Sequence, residues 1–222
     1  KYAIATGRAE KDVAADLVGA LKSKKEEHHT YLQENDLPEF FQNLEVLKCA
    51  EAVRIALQLV VLMFPRTTEL RAARWDEFDF EKNEWRIPAE RMKMERLHII
   101  PLSHQAVSSL MDLKKLTGNN DYLFPNRNTK GKNPYMTENA MLYALYRMGY
   151  KGKATVHGFR STASTILNEN GFYSDVIERQ LAHLEGNKVR ASYNHAEYLP
   201  ERRDMMQWWA DHIDKLKEKG LN

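Results

Sequence analysis

Residues 47–63 place apolar side chains on most sides of what their spacing predicts to be a helix, and no other stretch constrains the fold as strongly. A helix apolar all round is buried in a core or crosses a membrane. The longest apolar run here, 57–65, is broken by Gln58 and falls far short of the roughly 20 residues a bilayer needs. The helix therefore belongs at the centre of a globular core, with other elements packed around it. A chain of 222 residues is long enough for one such domain and a small appendage.

Around that helix the punctuation is clear. Leu37-Pro38-Glu39-Phe40-Phe41 starts a helix with proline in its first turn. Pro65 ends the central helix, and helical spacing resumes over 69–75. The period then changes. Glu84-Trp85-Arg86-Ile87-Pro88 and Leu97-His98-Ile99-Ile100-Pro101 read as two strands joined by a charged loop over 89–96. Further helices are expected at about 104–116, 137–147, 157–170, 174–182 and 200–217, with Ser103, Thr137 and Ser174 as N-caps and Gly171 as a C-terminal stop. The fold class is mainly α (α+β): helical, with a small antiparallel sheet. Residues 1–20 read as helical pieces and 22–30 as a charged linker.

Several function classes drop out early. There is no signal-peptide succession, and Cys49 stands alone, which excludes an internal disulfide and a cysteine-based zinc site. The lone cysteine fits a reducing cytosol. The chain begins with Lys1 rather than Met, so we expect a piece of a longer protein. A net charge of +2 says little about nucleic acid, because a basic face can be balanced by acids elsewhere. The local runs Lys22-Ser23-Lys24-Lys25, Lys130-Gly131-Lys132 and Lys151-Gly152-Lys153 are ordinary for exposed loops.

Four features carry chemistry, each with a plain structural alternative. Arg66-Thr67-Thr68-Glu69, at the break after the central helix, presents a guanidinium to a phosphate with Glu69 behind it, or forms a simple i, i+3 ion pair. Lys93, between the two strands, carries an ammonium into a groove or merely protects a sheet edge. His157-Gly158-Phe159-Arg160 opens a helix, where an imidazole and a guanidinium one turn apart suit a phosphate. Leu181-Ala182-His183 is followed, ten residues after the histidine, by Tyr193, which alone would be read as amphipathic core.

In order, Arg66, Lys93, His157-x-x-Arg160, His183 and Tyr193 resemble the tyrosine recombinase (phage integrase) family over nearly the whole chain. The flanks Arg66-Thr67-Thr68-Glu69-Leu70-Arg71-Ala72-Ala73-Arg74-Trp75, Ile87-Pro88-Ala89-Glu90-Arg91-Met92-Lys93-Met94 and Ala191-Ser192-Tyr193-Asn194-His195-Ala196-Glu197-Tyr198-Leu199 are similar to integrases of P4-like prophages and pathogenicity islands. Pro65 stands where the family often has glycine, and Leu181-Ala182-His183 replaces the common Leu-Gly-His. The spacing from His183 to Tyr193 is one longer than in many relatives, which keeps Tyr198 as an alternative nucleophile.

The resemblance implies a catalytic domain over residues 34–222, preceded by the end of a core-DNA-binding domain and its linker over 1–33. It implies cleavage and rejoining of DNA through a 3′-phosphotyrosine on Tyr193, without metal, ATP or any cofactor. Arg66 and Arg160 would hold the phosphate, Lys93 would protonate the leaving oxygen, His157 would assist the tyrosine proton, and His183 would hydrogen-bond the phosphate. Implied partners are double-stranded attachment sites, further copies of the chain (a tetramer on DNA) and accessory DNA-bending or excision factors. No membrane is implied, and the location would be the cytoplasm, at the nucleoid. The C-terminal Met205-Met206-Gln207-Trp208-Trp209 is too apolar for a free tail, and docks either on its own domain or on a neighbouring protomer. The rival readings are a nicking–closing enzyme built from the same residues, a DNA-binding protein that does not cut, and a metal site among His28, His29, His157, His183, His195 and His212, which lack clear ligand spacing.

Overall fold

The apolar centre of the chain folds as expected into a helix, α3 (Glu51–Met63), in which residues from Ile55 to Met63 are almost all buried. The computed structural model describes residues 2–12, 15, 30–92, 95–126, 133–183 and 196–220. Helix α3 begins four residues later than its apolar pattern suggests. Arginines, not helical amides, take the carbonyls just before it: Arg54 donates to Glu45 O (2.7 Å) and Leu47 O (3.1 Å), and Arg147 to Lys48 O (2.5 Å). Phe64 ends the helix in the left-handed region (φ 39°, ψ 47°), with Pro65 next.

Before α3 come a short exposed helix, α1 (Tyr2–Ala5), and α2 (Leu37–Val46), whose Pro38 sits in the first turn as expected. Most of the expected linker lies outside the described residues. After the break, α4 (Thr67–Arg71) is shorter than expected, and a 3-10 turn follows at Trp75–Glu77. The reason is a competing pairing: Trp75 N donates to Asp121 O (3.0 Å) and Leu123 N to Ala73 O (2.9 Å), which pulls the chain out of the helix.

The sheet has three antiparallel strands in sequence order, β1 (Phe78–Asp79), β2 (Glu84–Ile87) and β3 (His98–Pro101). The two expected strands pair with Trp85 opposite Ile100 and Ile87 opposite His98. Strand β1 escaped the sequence reading because two residues are too few to show an alternation. A 3-10 turn at Ala89–Arg91 leads into the hairpin loop.

The remaining helices are α5 (His104–Thr117), α6 (Asn139–Arg147), α7 (Gly158–Glu169), α8 (Ser174–Gln180) and α9 (Leu199–Gly220). Ser103 caps α5 by accepting from Ala106 N (3.2 Å), and Gly171 adopts φ +79° just past α7, both as expected. Thr137 and Ser174 do not cap. Helix α6 starts only at Asn139, and Ser174 is itself the first residue of α8, its hydroxyl donating to Asn168 Oδ1 (3.2 Å). Helix α9 lays Met205, Met206, Trp209 and Ile213 against α2, α3, α5, α8 and β3 of its own chain, with Trp209 Nε1 donating to Val61 O (2.9 Å). Of the two docking modes expected for this segment, the chain adopts the intramolecular one. No described helix is long and apolar enough to cross a membrane.

Candidate phosphate-binding site

The break after α3 serves two arginines at once. Its left-handed turn frees the Phe64 carbonyl, which accepts from Arg160 Nη1 (2.8 Å), and two residues later presents Arg66 at the start of α4. Glu69, only 4% exposed, spans Arg66 with both oxygens: Oε2 accepts from the Arg66 amide and Oε1 from its Nη1, each at 2.8 Å. The Arg-x-x-Glu spacing is thus a helix-start cap and a guanidinium brace together.

Arg160, also 4% exposed, reaches the site from the first turn of α7. The turn is held close to residues 30–33. A Cβ added at Gly158 would lie 2.3 Å from Thr30 O, and Thr162 Oγ1 donates to Leu32 O (2.7 Å). Glycine inside His157-x-x-Arg160 is therefore a close-packing requirement. His157 stands exposed at the mouth of the same helix, one turn before Arg160.

Both guanidiniums end on the C-terminal turn of α8. Arg160 Nη2 donates to Leu181 O (2.6 Å), and Arg66 Nη2 to Ala182 O (2.7 Å). Helix C-terminal carbonyls lack helical donors and carry partial negative charge, so they suit cations. The preceding carbonyl, Gln180 O, accepts from His98 Nε2 (3.2 Å). Ala182 holds φ +50°, a conformation that explains why glycine is common here in the family pattern. The turn then delivers His183, whose Nε2 lies 3.2 Å from Arg160 Nη2 and whose Nδ1 lies 2.7 Å from Glu178 Oε2.

Electrostatically the site is built for an anion. Burial, and next to it the charge of Arg66, lower the Arg160 pKa to about 10, so it stays charged at neutral pH. Arg160 Nε is buried with no partner among the described residues. Beneath the turn, Arg202 is fully buried, donating to Gln180 Oε1 from Nε (3.0 Å) and Nη2 (2.8 Å), to Ile99 O, and to Glu197 O (3.3 Å). Burial also pushes His98 down to about 3, with Arg202, Arg179 and Arg66 adding like charge.

Of the expected site residues, the structure gathers Arg66, Arg160 and His183 on one turn, with His157 at the end of the helix that carries Arg160. Lys93 and Tyr193 lie outside the described residues, as do the lysine runs at 22–25 and 130–132. Tyr198 is half-buried with φ +47°, its ring edge-on to Tyr173 at 6.4 Å. No group of three potential metal ligands occurs among the described residues. Sequence reasoning missed Glu178, His98, Gln180 and Arg202. Only Glu178 left a trace, as an acid five residues before the histidine, and no general pattern singles out that spacing.

A model of the phage integrase family matches residues 30–199. The integrase of Enterobacteria phage P4 is 44% identical over 238 aligned positions, covering 100% of this chain and 54% of that relative. The integrase of Shigella phage Sf6 is 40% identical, over 97% of this chain and 56% of its own length. The chain thus spans about half the length of the curated relatives it matches. Among solved structures, an integrase from mycobacterium phage Brujita superposes with a TM-score of 0.62 at 13% identity, covering 98% of this chain and 71% of that one. A lambda integrase dimer bound to a COC′ core site gives 0.60 at 18% identity, over 88% of this chain and 68% of that one. These two share the fold.

Proposed function

The chain belongs to the phage integrase family, and on that premise we propose that it is the catalytic part of a site-specific DNA recombinase, metal- and ATP-independent, that integrates or excises a mobile element. The observation that carries the reading is the convergence of Arg66 and Arg160 on the adjacent carbonyls of Leu181 and Ala182, beside His183. Two like charges brought together in a partly buried place repel one another, and a bound phosphate removes that penalty.

Tyr193 attacks the scissile phosphorus. The Tyr193 O–P bond forms, the P–O5′ bond breaks, and the product is a 3′-phosphotyrosine with a free 5′-hydroxyl. Arg66 and Arg160 hold the non-bridging oxygens as charge builds, an effect worth about 3–4 kcal/mol per preorganised donor. His157 assists removal of the tyrosine proton, Lys93 protonates the departing 5′-oxygen, and His183 hydrogen-bonds the phosphate. A partner strand's 5′-hydroxyl reverses the steps, so bond energy is conserved.

In this reading residues 34–222 form the catalytic domain, and 1–33 end a core-DNA-binding domain and its linker, whose last residues are held by Thr155 N on Thr30 O and by Thr162 of α7 on Leu32 O. The partners are duplex attachment sites, other copies of the chain (a dimer at a core site, a tetramer at synapsis) and DNA-bending or excision factors. The working location is the bacterial cytoplasm, at the nucleoid. A nicked suicide duplex bearing the attachment core tests the reading. We expect a covalent protein–DNA adduct that Tyr193→Phe abolishes and Tyr198→Phe does not. DNA binding without any adduct would make the chain a non-cutting DNA-binding protein. The reverse outcome for the two variants would move the nucleophile to Tyr198.

A further inference from the structure

The loop between β2 and β3 leaves the sheet from an unusually well-fixed point. Arg91, which ends the 3-10 turn before the loop, has two arms. Its Nη1 pairs with the carboxylate of Glu77, and its Nη2 donates to Glu69 O (2.6 Å). Glu77 is buried, and its other oxygen accepts from the indole of Trp85 on β2 (2.9 Å), itself completely buried. Glu69 is the residue that braces Arg66. One guanidinium therefore ties the sheet, and the stem of its hairpin, to the turn that presents Arg66. The next residue, Met92, is buried, and its carbonyl accepts from the Glu95 amide (3.0 Å).

Lys93 is two residues beyond Arg91 in the chain, a backbone reach of at most about 7 Å. We infer that Arg91 is a positioning residue for the proton donor: its two-armed contact fixes the stem that leads into Lys93 against the Arg66 turn. The inference rests on the reading of Lys93 as the group that protonates the 5′-oxygen. A fork is what the task requires, since a guanidinium satisfies a carboxylate and a carbonyl at fixed angles and an ammonium does not. Residues that act by placing a reacting group are sensitive to displacement, and an error of about 1 Å can cost on the order of 10²-fold in rate.

The test replaces the bridging 5′-oxygen of the suicide duplex with sulfur. The Tyr193 O–P bond still forms, but the bond that breaks is P–S, and the thiolate departs with its electron pair without needing a proton. On the ordinary substrate we expect Arg91→Lys and Arg91→Ala to slow adduct formation by about 10- to 100-fold. On the sulfur substrate both should recover the unsubstituted protein's rate, as Lys93→Ala should, while Arg66→Ala stays slow on both. Glu77→Gln, which weakens the far end of the link, should show the same selective recovery. Unfolding midpoints separate a folding defect, which would slow both substrates alike. Arg91 variants equally slow on both substrates, or slow on neither, overturn the inference alone. If Lys93→Ala also stays slow on sulfur, the proton-donor reading fails and takes the inference with it.

Discussion

Ala182 and His98 show how much the turn at the end of α8 asks of single residues. An alanine at φ +50° is held where an L side chain is disfavoured by roughly 1 kcal/mol, because the turn must aim the carbonyls of Leu181 and Ala182 at two guanidiniums. Ala182→Gly should therefore raise the stability by about 0.5–1 kcal/mol in urea unfolding, and an unchanged or lower midpoint would show that the strain is illusory. His98 is the acid-sensitive member. Buried and neutral, with a folded pKa of about 3 against an ordinary 6.5, it refuses a proton that the unfolded chain accepts. A lowered pKa in the folded state means that stability is present above 6.5 and lost as pH falls toward 3, at up to about 1.4 kcal/mol per pH unit. The unfolding midpoint should fall more steeply between pH 6.5 and 4.5 in the unsubstituted protein than in His98→Gln. Parallel slopes would place the acid sensitivity elsewhere.

At the scale of elements, legibility in the sequence followed the strength of the periodic signal. Helices α2, α3, α5, α7 and α9 were recognisable because their apolar spacing, proline or cap residues dictate the local geometry. What failed was set by distant partners. The start of α3 is decided by Arg54 and Arg147, and the end of α4 by the pairing of Trp75 with Asp121. Strand β1 exists only because Phe78 faces Trp85 across the sheet, rings stacked at 5.3 Å. The order Arg66, His157-x-x-Arg160 and His183 was visible in the sequence through resemblance, whereas the meeting of Arg66 and Arg160 on two successive carbonyls of one turn, beside His183, was not. The apolar face of α9 belongs to this scale too. Trp209 packs against Phe64 at the break that positions both arginines, with ring centroids 6.2 Å apart. Trp209→Ala should cost about 3–5 kcal/mol, measured by urea unfolding, and a loss below 1 kcal/mol would mean that α9 is not integral to the domain.

For the whole molecule, the helices and the small sheet bring together groups that sequence separates. Helix α3 ends under α9, α7 crosses beside residues 30–33, and the last turn of α8 collects Arg66, His98 and Arg160. The central claim is that this architecture exists to place two guanidiniums on a phosphate whose negative charge rises during cleavage. It is tested most directly by replacing one non-bridging oxygen of the scissile phosphate with a methyl group, which removes that charge. Adduct formation by Arg66→Ala and Arg160→Ala is then compared with the unsubstituted protein on both duplexes. The account predicts a deficit of about 10²–10³-fold for each variant on the ordinary phosphate, largely erased on the neutral one. An equal deficit on both duplexes, from variants that fold normally, would contradict it.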